Sequence, residues 1–454
     1  MVWKKAFVVS VLFWTGFIGG TITAWAEVSG TTLQLDLPAC IEQALKANPQ
    51  MEEARLGVLQ SELLLKSSRL SRTPKIELFN RFGIVEDAEG DAITGDTIDG
   101  SFGFFNKLDL KITVPLYTFG RLSRNIHAAK ENVNRQMASQ LKTTSDLILR
   151  VHQLYYGLVL ARQLLRSTRD IQKNFSLAHE IAEERLEKGE TSVTETDVLK
   201  LRLGLAGIAK GVRKLQRQVR VTKEALRQTM GLGDQIDFTL VDKKLKPVAF
   251  ELRSLEHYLQ QAEADNPQIK QLKAALAAAD ARYLAEKSKY YPMLLAVGGL
   301  RYAEAPGRED QHNPFLKDDF NFFNGGAALA IKWDLNFLQT DTNLQRKKVQ
   351  YLRMKSRLRQ VLAGIAFQVK EKYHLLMEKK DNLESSFEAR KAGRAILFLN
   401  LTNFKFGLGT GEDVFDALSV HARTAGNYFK AIFDYNLSVA ELHSFIGDQG
   451  KTQE

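Results

Sequence analysis

The sequence predicts a mainly α-helical protein with a membrane β-barrel part, built from one helix–strand–strand–long helix–helix unit used twice. Three observations lead there: a repeat at a nearly constant offset, two proline-free stretches too long for a compact domain, and short strands with one apolar and one polar face.

The repeat starts near the N-terminus. ANPQMEEARLGVLQ begins at Ala47 and DNPQIKQLKAALAA at Asp265. Asn48-Pro49-Gln50 maps onto Asn266-Pro267-Gln268 with an offset of 218, as do Pro74 onto Pro292 and Gly189 onto Gly407. VPLYTF and KWDLNF correspond at 219. An offset held this closely along both halves reads as a tandem duplication. The organisation expected is a leader at 1–26, a first repeat at 27–236, a mid-height linker at 237–253, a second repeat at 254–447 and a tail at 448–454.

Within each repeat a helix comes first, at 38–72 and 254–290. Two strands follow, about 75–84 and 101–116 in the first half, 293–304 and 320–337 in the second. Leu108, Leu110, Ile112, Val114 and Leu116 alternate with Asp109, Lys111, Thr113 and Pro115. Ala327, Leu329, Ile331, Trp333 and Leu335 share one face of the last strand, with Lys332 and Asp334 on the other. Period-two alternation gives a strand one apolar and one polar face. The apolar face could meet a core or lipid. Phe102, Phe104, Phe105, Tyr302, Phe320, Phe322 and Phe323 cluster near strand ends, where aromatics suit a lipid–water interface, and favour lipid. The intervening EDAEGDAITGDTIDG and APGREDQHNPFLKDD read as polar loops.

The long helices come next, at about 121–188 and 340–406. Pro is absent from 116 to 246 and from 315 to 454. Ile126, Ala129, Val133, Leu147, Val151, Leu154, Leu158, Leu165, Phe175, Ala178 and Ala182 recur near the 3.5-residue spacing of a coiled-coil seam. At 1.5 Å per residue such a helix is ~100 Å long, a rod or one stave of a tube. Helices at 193–230 and 254–290 together match one long helix in length, as do 38–72 and 411–445, so pairs stacked end to end can lie beside each stave. At the strand-to-helix junction Pro115 ends the strand and Gly120 permits the change of direction.

Composition narrows the class. Lys4 and Lys5, the apolar run Ala6–Thr23 and Ala24-Trp25-Ala26 form a secretory signal cut before Glu27. Removing the two lysines takes the formal charge from +10 to +8. Export and the mixing of Lys and Arg with Glu and Gln argue against nucleic acid. The single cysteine, Cys40, excludes an intrachain disulfide and sits in an apolar helical pattern as a small core residue. GLGTG at 407–411 lacks the GK[ST] and preceding strand of a phosphate loop. The His residues form no HExxH or Cys–His cluster, and no catalytic constellation stands out. No enzyme activity, metal or cofactor is expected.

Taken together, ALKANPQ, VPLYTFGRLSRNIHAAKENV, the duplication and FKFGLGTGEDVFDAL resemble the TolC family of outer-membrane efflux channels over nearly the whole mature chain. The resemblance implies a homotrimer with a twelve-stranded β-barrel in the outer membrane of a Gram-negative cell, continued by a periplasmic α-helical barrel. It implies an exit duct of a tripartite efflux or type I secretion system, with a periplasmic membrane-fusion adaptor and an inner-membrane pump of RND or ABC type as partners. In the family, the two acids of a DxxD motif ring the tip entrance. The matching positions are Asp413 and Asp416, at an i,i+3 spacing that also suits plain helix-start acids. Phe404 falls at the constriction where relatives have a tyrosine that bonds across helices. Gly189, Glu190 and Thr191, with Gly407 and Leu408, fall at the tip turns that meet the adaptor. Where some relatives carry an arginine this chain has Gly409, which cannot form that salt bridge. In the first half Asp197 aligns with Asp416 and Thr194 with Asp413. Two other classes compete: a periplasmic coiled-coil adaptor, which needs a lipoyl-like β-domain, and a coiled-coil scaffold without a channel, which needs no amphipathic strands.

Overall fold

Both halves of the chain trace one order of elements. The computed structural model describes residues 33–90, 97–190, 193–311, 315 and 317–448. The signal segment expected at 1–26, Thr191 and the end of the tail lie outside these residues. The first half runs β1 (Leu33–Leu35), α1 (Leu37–Ala47), α2 (Pro49–Leu70), β2 (Lys75–Glu89), β3 (Thr97–Tyr117), α3 (Arg121–Glu187) and α4 (Glu195–Thr229). After β4 (Phe238–Leu240) come α5 (Leu255–Asp265), α6 (Pro267–Lys287), β5 (Met293–Glu304), β6 (Phe322–Lys332), α7 (Phe337–Lys405) and α8 (Gly411–Ile446).

The helices expected at 38–72 and 254–290 are each broken in two. Proline lacks an N–H and pushes its predecessor out of the helical region. Asn48 and Asn266 are accordingly non-helical, with ψ of 128° and 122°, and each caps the next helix through Gln50 N or Gln268 N. The same side chains tie down a distant helix end. Asn48 Nδ2 donates to Thr229 O at 2.8 Å, and Asn266 Nδ2 to Phe445 O at 2.7 Å. Gly231 (φ 65°) and Gly447 (φ 83°) then turn the chain at these ends. A Cβ on either would sit 2.4 Å from the carbonyl oxygen of Ala47 or Asp265, so the repeated Asn-Pro-Gln and the two glycines form one lock made twice.

Strands β2-β3-β5-β6 form one antiparallel sheet in that order. β2 and β3 extend into the segment expected as a loop, across a register shift between Glu86 and Ala88. β6 ends at Lys332, short of the expected 337. Asp334 Oδ1 there accepts from Asn336 N (3.1 Å), and Trp333 Nε1 donates to Tyr290 O (3.2 Å), so side chains displace the ladder.

Three apolar clusters fill the helical part. One joins Cys40, Ala44, Met51, the middle of α3 and the end of α4. Burial there, with Asp36 adding, pushes the Cys40 thiol up to about 12, so it behaves as an inert core residue. The second joins α3, α4, α7 and α8 at the tip, and the third α5–α8. Val133, Leu147, Val151, Leu154, Leu158, Phe175, Ala178 and Ala182 of the predicted seam are buried. The segment after β4 straps α3 to α8. Tyr155 Oη donates to Asp242 Oδ2 (2.7 Å), Leu245 N to Gln163 Oε1 (2.8 Å), and Val248 N to Asn436 Oδ1 (3.0 Å).

Candidate functional site: the sheet and the helical tip

Opposed residues of an antiparallel pair share a face, so the register sorts the sheet. One face carries Ile76, Leu78, Phe82, Ile84, Leu108, Leu110, Ile112, Leu300, Leu329 and Ile331. It is uncovered in the single chain; Phe82, Ile84, Leu329 and Ile331 are each more than 70% exposed. The other face carries Lys75, Glu77, Arg81, Lys107, Asp109, Lys111, Arg301 and Lys332. The aromatics expected at an interface divide between the faces. Phe104, Tyr302 and Phe323 lie on the apolar one, while Phe105 and Phe322 lie on the polar one, where Phe322 sits beneath Lys107 and Arg301. Period-two alternation decides this, since neighbours such as Phe322 and Phe323 must diverge. Among the described residues, the outer edges of β2 and β6 have no partner strand.

Where the sheet meets the helices, Phe119 and Gly120 both take positive φ, 49° and 82°. Phe119 is a strained position for a residue with a Cβ. Its ring stacks on Tyr291 at 5.0 Å and meets Tyr117 at 4.7 Å, contacts that oppose the strain. Arg124 donates to Leu284 O (2.9 Å) and Ser288 Oγ (2.5 Å), fixing the start of α3 to the end of α6.

At the tip both long helices end alike. Gly189 N donates to Leu186 O and Glu190 N to Arg185 O; Gly407 N donates to Phe404 O and Leu408 N to Asn403 O. These are Schellman ends with glycine in the left-handed region, at φ 72° and 80°. Gly189, Glu190, Gly407 and Leu408 are exposed, Leu408 with two thirds of its surface. The following helices start with matched capping boxes, Thr194 with Asp197 and Thr410 with Asp413. This corrects the alignment made from sequence. Asp197 corresponds to Asp413, not to Asp416, because the first turn is two residues longer. Lys200 thus stands opposite Asp416, and it pairs with Glu412 at 2.8 Å.

Asp413 Oδ2 accepts from Thr410 N (2.9 Å) and Thr410 Oγ1 (2.7 Å), bonds that hold its carboxyl below the usual range. Asp416 is exposed one turn further on and makes no hydrogen bond or ion pair among the described residues. Phe404 does not line a passage. It is fully buried in the tip cluster, because the face of α7 that carries it packs against α3, α4 and α8. The guanidinium of Arg185 lies 5.0 Å from its ring centre, donates to Lys405 O (3.2 Å) and pairs with Glu190 (3.5 Å). Sequence reasoning missed Arg185. Its position one turn before Gly189 was visible, but its reach to α7 depends on the packing.

A family model described as outer membrane efflux protein matches residues 40–232. No curated protein matches in sequence. Several solved structures share the fold. The CusC channel structure has 17% identity and a TM-score of 0.74, over 93% of this chain and 95% of that one. The outer membrane protein VceC of Vibrio cholerae has 15% identity and 0.73, over 90% and 95%. The open MtrE outer membrane channel of Neisseria gonorrhoeae has 15% identity and 0.74, over 92% and 91%. The first half of the chain is thus similar to the outer membrane efflux proteins, and both halves together share the fold of these outer-membrane channel structures.

Proposed function

We propose that three copies close their sheets into one twelve-stranded barrel in the outer membrane, continued by a periplasmic tube of helices, and that this tube receives cargo from an inner-membrane pump through a periplasmic adaptor. One observation carries the reading: among the described residues, a single-layer, four-stranded sheet with an uncovered apolar face and two unpaired edges. Such edges invite pairing with another copy. β2 and β6 run in opposite directions, so β6 of one copy beside β2 of the next keeps the sheet antiparallel all round. Four strands cannot close, and ~8 leave an interior filled by side chains; twelve is the smallest multiple of four that leaves a duct. The apolar face then meets lipid and the polar face water.

At the far end, threefold symmetry gathers Asp413 and Asp416 from each copy around the axis. Rings of carboxylates favour cations and resist anions. The exposed turns at Gly189, Glu190, Gly407 and Leu408, with Thr191 next in sequence, form the surface offered to the adaptor. Purified protein in detergent should scatter light as a trimer and form pores in planar bilayers. A stable monomer without pore activity would overturn the reading.

A further inference from the structure

The polar face of the sheet is unbalanced. Below the register shift at Glu86/Ala88, six cations, Lys75, Arg81, Lys107, Lys111, Arg301 and Lys332, share it with two acids, Glu77 and Asp109; at the shift and beyond, β2 adds Asp87 and Glu89 on the same alternation. Glu77 and Asp109 are already engaged by neighbours. Lys75 pairs with Glu77 at 2.5 Å, with Lys111 directly opposite, and Arg81 pairs with Asp109 at 2.8 Å. Lys107, Lys111, Arg301 and Lys332 have no ion pair of their own among the described residues, and each chain is left with an excess of four positive charges on this stretch of the face, which Asp87 and Glu89 offset only at its far end.

The adjoining part of α7 points the same way by an independent route. From Thr342 to Lys370 it carries eight Lys and Arg and no Asp or Glu. Tyr351, Met354, Leu358, Val361 and Ile365 form its covered stripe. The opposite side shows exposed Val349, Leu352 and Phe367, an apolar flank suited to a neighbouring stave. At 3.6 residues per turn two stripes remain between these flanks. One holds Arg346, Arg353 and Arg357, the other Lys348, Lys355 and Arg359. Whichever of them faces the axis, it is basic. Arg353 and Arg357 moreover line a groove with Arg135 of α3 and Arg282 of α6, and among the described residues no carboxylate lines that groove.

We propose that the outer part of the duct, the sheet's polar face and the adjoining end of the helical tube, is electropositive and selects anionic solutes. This rests on the channel reading and deepens it by naming the class of permeant: molecules carrying carboxylate, sulfonate or phosphate groups. Low-dielectric walls lined by one sign of charge focus the field and concentrate counter-ions. The acids at the tip lie a long helix away, ~100 Å, against a screening length of ~8 Å at physiological salt. The two ends therefore act separately.

The test is the reversal potential of single channels of the full-length protein in a KCl gradient. The Asp413→Asn/Asp416→Asn background is used, so that tip carboxylates add no cation preference. The expected result is a chloride-to-potassium permeability ratio above one. Lys107→Gln/Lys111→Gln/Arg301→Gln and, separately, Arg353→Gln/Arg357→Gln should each lower it toward one while open channels persist. Equal or cation-favouring permeability in that background, or a ratio unmoved by both sets, would overturn the proposal and leave the channel reading standing. Absence of any conductance would overturn the channel reading and the proposal with it.

Discussion

Replacing Asp413 and Asp416 one at a time separates a helix cap from a pore ring, because the structure gives the two acids different local duties. Asp413 Oδ2 accepts from Thr410 N, its half of the capping box, and from Thr410 Oγ1, whereas Asp416 makes no hydrogen bond among the described residues. Asp413→Ala should therefore cost about 1 kcal/mol for the lost box, with a few tenths more for the lost charge at a helix N-terminus. Asp416→Ala should cost no more than ~0.5 kcal/mol, as an exposed side chain away from any cap. If both acids ring the axis, each replacement should weaken block by multivalent cations added from the periplasmic side, despite the unequal stability costs. The sign of the pH effect follows from the lowered folded pKa of Asp413. Its contribution is full above the unfolded carboxylate pKa of about 4 and is lost as pH falls through the folded value. Thermal unfolding of the tip, followed by hydrogen exchange at pH 7 and pH 3, reads stability. Single-channel block reads the ring. Block unchanged in Asp416→Ala, with stability lowered only in Asp413→Ala, would refute the ring and leave both residues as ordinary helix-start acids.

Arg185→Ala should loosen the tip by about 2 kcal/mol, since it removes a charged hydrogen bond to Lys405 O and the contact with the Phe404 ring; hydrogen exchange at the ends of α3 and α7 checks it. Gly407→Ala meets no atom within 4 Å and should cost only the left-handed backbone penalty, about 1 kcal/mol, whereas Gly231→Ala adds a clash with Ala47 O and should cost about 3 kcal/mol by thermal melting. His152 is held down to about 4 by burial, with His443 adding to it. The unfolded chain takes up that proton below about 6.5 and the folded chain does not, so stability should fall between pH 6.5 and pH 4 by up to about 3 kcal/mol per chain. His152→Gln should flatten that slope in a pH series of melts.

The sequence alone determined what depends on local chemistry. Alternation over 108–116 marks a strand with two unlike faces, and the glycines at 189 and 407 mark the only cheap way to end helices this long. The absence of proline over most of each half makes those helices continuous, with ends found within three residues of those expected. The repeated Asn-Pro-Gln was legible as a repeat. Its work was not, because Asn48 and Asn266 break one helix while bonding to the end of another 181 and 179 residues away. Tertiary structure alone decided the rest. Phe404 is a core residue because of which face of α7 packs inward. Asp197 corresponds to Asp413 because two extra residues in the first turn shift the register of everything after it. Phe105 and Phe322 turn toward the polar face because strand pairing, not composition, sets the side on which each aromatic stands. The basic excess on that face likewise emerges only when four strands distant in sequence are laid side by side, since no single strand carries it.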